Sequence, residues 1–225
     1  MHVEIEHRPG NSAAKVSLDP METLISEGGS MIATSGDMNI ETTTRQRGSG
    51  GFFAAAKRLL AGESFFLNHF TAGGNGGEVY LATTLPGDMI HTQMEGQNLI
   101  VQSGSFVACA PSVEIDLGWQ GFKALFSGES VFWLKVSGQG DLILSSFGAI
   151  YPVEVDGEHI VDTGHIVAFD ETLDFKITKA GKSWIGSFLG GEGLVCKFHG
   201  HGTVWCQSHN PSSFGWALGP NLRPR

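Results

Sequence analysis

Leu125-Phe126-Ser127-Gly128-Glu129-Ser130 restates Leu59-Leu60-Ala61-Gly62-Glu63-Ser64, and Phe188-Leu189-Gly190-Gly191-Glu192-Gly193 restates it again. Two apolar residues, a small one, Gly, Glu and a small residue recur at near-constant spacing. A period of this length marks one supersecondary unit used several times. Downstream of each Glu, an apolar run is followed by a glycine and a second apolar run. The first runs are Phe65-Phe66-Leu67, Val131-Phe132-Trp133 and Leu194-Val195-Cys196. The second runs are Gly77–Leu81, Gly140–Leu144 and Gly202–Cys206. Two such runs around a short glycine-containing loop predict a hairpin.

Upstream, Gly29-Ser30-Met31-Ile32-Ala33 matches Gly104-Ser105-Phe106-Val107-Ala108 and Gly164-His165-Ile166-Val167-Ala168. Ile25, Ile100 and Ile160 each stand four residues before those glycines. The pairs Met38/Ile40, Val113/Ile115 and Leu173/Phe175 follow them, and a spacing of two puts each pair on one strand face. Glycine at the tip suits a second tight hairpin. Between the hairpins, Phe52, Phe53, Ala56, Leu59 and Leu60 fall at helical spacing. So do Trp119, Phe122 and Phe126, and Trp184, Ile185, Phe188 and Leu189. Each Gly of a Gly-Glu pair then sits at a helix C-cap.

The expected architecture is all-β. One domain, residues 1–225, holds three internal β-repeats at 14–84, 86–147 and 148–209, with short helices between hairpins and a C-terminal tail at 210–225. The 32 glycines in 225 residues, spread along the chain, mark many turns rather than one linker. The net charge of -9 and the lack of any Lys/Arg cluster longer than two residues argue against nucleic acid and anionic headgroups as partners. No run approaches the ~20 apolar residues of a membrane span, so no integral insertion is expected. The start Met1-His2-Val3-Glu4-Ile5-Glu6 carries no basic leader, and three cysteines are too few for a disulfide framework. Both fit a cytoplasmic protein.

The repeated Gly-Glu unit, the paired hairpins and Met21-Glu22-Thr23-Leu24-Ile25-Ser26-Glu27-Gly28-Gly29-Ser30-Met31 resemble the family of the mitochondrial biogenesis protein "altered inheritance of mitochondria" twenty-four and its bacterial relatives. The resemblance covers nearly the whole chain. It implies the fold superfamily of the tryptophan RNA-binding attenuator protein, a shortened double-stranded β-helix, with three units around a pseudo-threefold axis. It implies no catalytic activity. Mitochondrial members are linked to inner-membrane organisation. The Lys/Arg-rich edge that RNA binding needs has no counterpart here.

Candidate chemistry is sparse, and no cofactor is implied. His199-Gly200-His201, with Cys206 and His209, offers metal-ligand types at strand spacing. It reads equally as a polar hairpin tip. Glu63, Glu129 and Glu192 occupy equivalent positions. They either converge on the axis as a ligand site, where like charges would raise each other's pKa, or satisfy their own helix ends. Asp88, His91 and Ser103, or Asp162 and His165, have the residue types of a hydrolase triad without its strand-turn-helix context. The reading that follows is a non-enzymatic interaction or scaffold protein that self-associates and binds a further protein. The alternatives are a metal-dependent small-molecule enzyme on His199, His201, Cys206 and His209, or a ligand-binding module on the axis.

Overall fold

The structure, a computed structural model, describes residues 1–44, 65–117, 133–179 and 194–222. The Gly-Glu motifs, the helical stripes and Glu63, Glu129 and Glu192 lie outside these residues.

Strand formation follows from alternation. In Ala13-Ala14-Lys15-Val16-Ser17-Leu18 every second side chain is buried, and in Val113-Glu114-Ile115-Asp116 both apolar ones are. A period of two is the strand's own period. The first strands are β1 (His2–Glu6), β2 (Ala13–Leu18), β3 (Thr23–Glu27), β4 (Met31–Thr34) and β5 (Met38–Thr44). Then come β6 (Phe66–Ala72), β7 (Gly77–Leu81), β8 (Met89–Glu95), β9 (Leu99–Gln102), β10 (Phe106–Cys109) and β11 (Val113–Asp116). The last are β12 (Trp133–Ser145), β13 (Ile150–Asp162), β14 (Ile166–Asp170), β15 (Asp174–Lys179) and β16 (Leu194–Gln207). One short helix, α1 (Pro211–Leu218), follows, so the protein is all-β. Pro211 opens α1, and the Asn210 side chain accepts from the Ser212 and Ser213 amides, which satisfies two of its free donors.

One sheet runs β1-β2-β7-β4. The larger runs β13-β16-β14-β9-β12-β10-β3-β6-β5, with β8 and β11 also on β12 and β15 on β16. The named strands pair antiparallel throughout.

The expected hairpins are corrected here. Residues 133–145 and 194–207 are each one continuous strand, so no turn reverses the chain at Gly140 or at His201. Instead each long strand changes partners along its length. The first half of β12 lies between β9 and β11, and its second half between β8 and β10. The first half of β16 lies between β15 and the end of β13, and its second half between β14 and the start of β13. β6 and β7 divide the same labour: β6 pairs β3 and β5, β7 pairs β2 and β4. The partner changes fall at left-handed glycines, Gly138 (φ 102), Gly140 (φ 128) and Gly200 (φ 119). An isolated left-handed residue bends and twists a strand, whereas reversal needs a whole turn.

The upstream hairpins are corrected as well. β3 and β4, β9 and β10, and β13 and β14 do not pair with each other. Two of these corners are 3-10 turns, Ser103–Ser105 and Thr163–His165. Of the three tip glycines only Gly29 is left-handed (φ 93). Cys196 and Cys206 therefore stand ten residues apart on one strand rather than facing each other. All three cysteines are buried, and none is in a disulfide.

Gly138 gives the first prediction. Its φ suits no L side chain, and a Cβ there would press on the Ser112 carbonyl oxygen. Gly138→Ala is expected to cost about 2 kcal/mol in urea unfolding, since both the strained dihedral and the backbone contact oppose it.

Among the described residues three apolar clusters form the core. The first, around Val101, Leu134 and Leu142, joins β9, β10 and β12. The second, around Val16, Leu24 and Phe70, joins the two sheets near the N-terminus. The third, around Phe169, Phe198 and Val204, lies under β14 and β16.

Candidate functional site

β16 carries His199 and His201, both exposed, on either side of the left-handed Gly200. His201 Nδ1 lies 3.0 Å from Asp156 Oδ1, with side chains 82% and 87% exposed. His199 stands opposite Glu158 on β13 and Asp174 on β15. His209 follows the strand, 2.8 Å from Ser208 Oγ, with its ring 5.1 Å from that of Phe147. Cys206 is buried, and that burial pushes its thiol up to about 11. Among the described residues no three His, Cys, Asp or Glu side chains form a group that holds a metal ion.

Of the residues considered as triad fragments, Asp88, His91, Asp162 and His165 are engaged elsewhere, and Ser103 is buried in the 3-10 turn between β9 and β10. His165 Nδ1 donates to the Gln207 carbonyl (2.7 Å), and Asp162 accepts from the Gly164 amide (2.8 Å). His91 Nε2 contacts Asp141 Oδ1 at 2.7 Å across β8 and β12, and Gln93 donates to the same oxygen. Asp88 is buried and receives four donors. They are Arg8 Nε (2.8 Å), Arg8 Nη2 (2.9 Å), Ser12 Oγ (3.0 Å) and the Met89 amide (2.8 Å). Burial alone would raise its pKa; the guanidinium and the other donors outweigh that and hold it below the usual carboxylate range. Gln207 is a second internal tie, accepting from the Phe147 amide (2.8 Å) and donating to the Gly164 carbonyl (3.0 Å). No local pattern marks Gln207 in the sequence.

Glu27, at the end of β3, is a different case. Burial pushes its carboxyl up to about 7. A folded-state pKa above the unfolded value of about 4.3 means the folded chain binds the extra proton between those two values. Stability therefore falls as pH rises from about 4.3 to about 7. Glu27→Gln is expected to remove this fall and to raise stability at pH 8 by about 2 kcal/mol, read as the difference between urea-unfolding curves at pH 5 and pH 8.

The exposed apolar side chains are less easily assigned to the framework. Met31 and Ile32 on β4 are 44% and 57% exposed, and Ile160 on β13 is 54% exposed. Among the described residues β4 and β13 are outer strands of their sheets, each paired on one side. By contrast β10 lies between β12 and β3, and β14 between β16 and β9. There Phe106, Val107, Ile166 and Val167 are fully buried. Phe214, Trp216 and Leu218 on the C-terminal helix and Leu222 beyond it are also exposed, with the Phe214 ring edge-on to Phe147 at 5.3 Å. Contiguous exposed apolar surface marks contact with another molecule.

These features define an antiparallel all-β protein whose buried polar groups tie strands together and whose outer strands β4 and β13 carry exposed apolar side chains. Among the described residues no helix is long and apolar enough to cross a membrane. The chain belongs to the mitochondrial biogenesis AIM24 family, whose family model matches residues 3–209. An uncharacterized protein of Streptococcus pyogenes serotype M6 is 30% identical over 196 residues, covering 84% of this chain and 78% of that protein. The crystal structure of protein SPYM3_0169 from Streptococcus pyogenes superposes with a TM-score of 0.80 at 26% identity, covering 98% of this chain and 99% of that one.

Proposed function

We propose that this protein is a non-enzymatic, self-associating interaction or scaffold protein. In this reading it is built of three β-repeats, 14–84, 86–147 and 148–209, around a pseudo-threefold axis in the manner of a shortened double-stranded β-helix. The pairings support the repeats. β6 with β7, β12, and β16 each pass from one set of partners to the corresponding next set. A register shift recurs between Met31 and Ala33, between Phe106 and Ala108, and between Ile166 and Ala168. Three buried cysteines outside any disulfide agree with a reducing compartment such as the cytoplasm.

The observation that carries the functional reading is the exposure of Met31, Ile32 and Ile160 on outer strands. An outer strand with apolar side chains and open backbone groups is a template for another strand. Sedimentation velocity over a range of concentrations tests it. The weight-average mass is expected to rise above the 24.0 kDa of one chain. A strict monomer up to about 0.5 mM, a concentration at which a ~100 μM interface is mostly occupied, would overturn it.

A further inference from the structure

Resting on the self-association reading, we infer that one copy's β4 pairs with a second copy's β13, head to tail, in a register the chain already uses twice. The strand β10 pairs antiparallel with β3, Ala108 opposite Ser26 and Cys109 opposite Ile25. The strand β14 pairs antiparallel with β9, Ala168 opposite Val101 and Phe169 opposite Ile100. Counted from Gly29, Gly104 and Gly164, the first member of each pair stands four or five residues after its glycine. Its partner stands three or four residues before the preceding glycine of the series. Each such joint therefore links one segment to the segment before it.

The series leaves two strands over. β4 is the first-segment counterpart of β10 and β14, and among the described residues it has only β7 beside it. The last third of β13 is the counterpart of β3 and β9, and among the described residues it has only β16 beside it. The same register sets Ala33 opposite Val161 and Thr34 opposite Ile160. Burial separates made joints from the unmade one. Ile25 is 4% exposed and Ile100 fully buried inside theirs, while Ile160 is 54% exposed. Val107 and Val167 are fully buried at the bulge where Ile32 is 57% exposed. In the register of the β14–β9 joint, where Asp170 faces Leu99, His159 falls opposite Ser35. The His159 ring nitrogen Nδ1 is shielded from water without a partner. An added strand thus covers Met31, Ile32 and Ile160 and reaches the position of His159, whose Nδ1 is left without a hydrogen bond.

The occupant is a second copy because the chain carries both halves of this joint and makes it twice within itself, yet among the described residues its own β4 and β13 lie in different sheets and do not pair. The two halves are different surfaces, so the contact is heterologous. Each added copy offers a fresh β4 or β13, and the assembly grows to a closed ring or an open filament.

Cross-linking tests the register. The native cysteines are buried; Ala33→Cys introduces a thiol at an exposed position and Val161→Cys one at a half-buried position on the joining edge. A short bis-maleimide is expected to join the two variants only when they are mixed, giving a covalent dimer. Ile160→Glu, at an exposed position, is expected to leave the thermal midpoint of dilute protein unchanged. It should weaken association by at least about tenfold, because a charge replaces an apolar contact on the joining edge. Either cysteine variant cross-linking to itself overturns the joint in favour of a like-with-like edge. Association that persists in Ile160→Glu without mixed cross-links also overturns the joint while leaving self-association standing. A strict monomer overturns both.

Discussion

Phe169→Ala is expected to destabilise the fold by about 4 kcal/mol. The Phe169 side chain on β14 is fully buried, and its ring lies 5.0 Å from Phe198, 5.5 Å from Phe175 and 5.9 Å from Trp133. These three neighbours stand on β16, β15 and β12. Removing the central ring loses its transfer free energy and leaves a void whose walls are anchored on three separate strands. Such walls cannot close without breaking strand pairing, so the cost lies near the upper end for an aromatic deletion. Phe169→Leu refills most of the volume and is expected to cost about 1 kcal/mol. Urea unfolding of both variants checks the pair. A loss below about 1 kcal/mol for the alanine variant would mean that the cluster collapses freely.

The second large effect is at Asp88. Asp88→Ala is expected to cost about 3 kcal/mol, because it strands the Arg8 guanidinium, the Ser12 hydroxyl and the Met89 amide together. The site also ties distant segments. Ser12 donates its backbone N–H to the Gly87 carbonyl (2.9 Å), Asp88 to Gly148 (2.8 Å) and Ser146 to Asp88 (3.0 Å). The variant carries a pH signature. The folded pKa of Asp88 lies below its unfolded value of about 3.9. Its contribution is therefore complete above about pH 3.9 and is lost as pH falls through the folded pKa. Acid unfolding of Asp88→Ala is expected to be shallower in this window than that of the parent chain. Arg8 is half exposed, so Arg8→Ala should cost less, about 1–2 kcal/mol. Equal losses in both variants would place the energy in the ion pair rather than in the buried carboxylate.

Much of the strand content was legible from letters alone. Val113 and Ile115 share a buried face as their spacing of two requires, and the runs at Phe66–Ala72 and Gly77–Leu81 are strands. Ile40 shows the limit of the same rule: it sits on β5, the last strand of its sheet, and stays 44% exposed. The turns were misread because a glycine between two apolar runs looks the same whether the chain reverses or bends. Gly140 and Gly200 bend it. The Asp88 tie was not legible, since Arg8 and Asp88 are eighty residues apart with no local pattern joining them. The histidines suggested a cluster because of their proximity along the chain. On the strand, His201 faces Asp156 and His209 packs on Phe147.

Alternation, β-branched and aromatic runs and scattered glycines are local properties, and they are enough to make this chain an all-β protein. Which strand lies beside which is a matter of long-range pairing, and no window of sequence holds that information. Ile25, Ile100 and Ile160 are the same letter in the same local context, yet two are buried and one is open to solvent. The difference comes from whether a strand from elsewhere in the chain arrives to cover them, and hydrophobic burial depends on that arrival rather than on the residue alone.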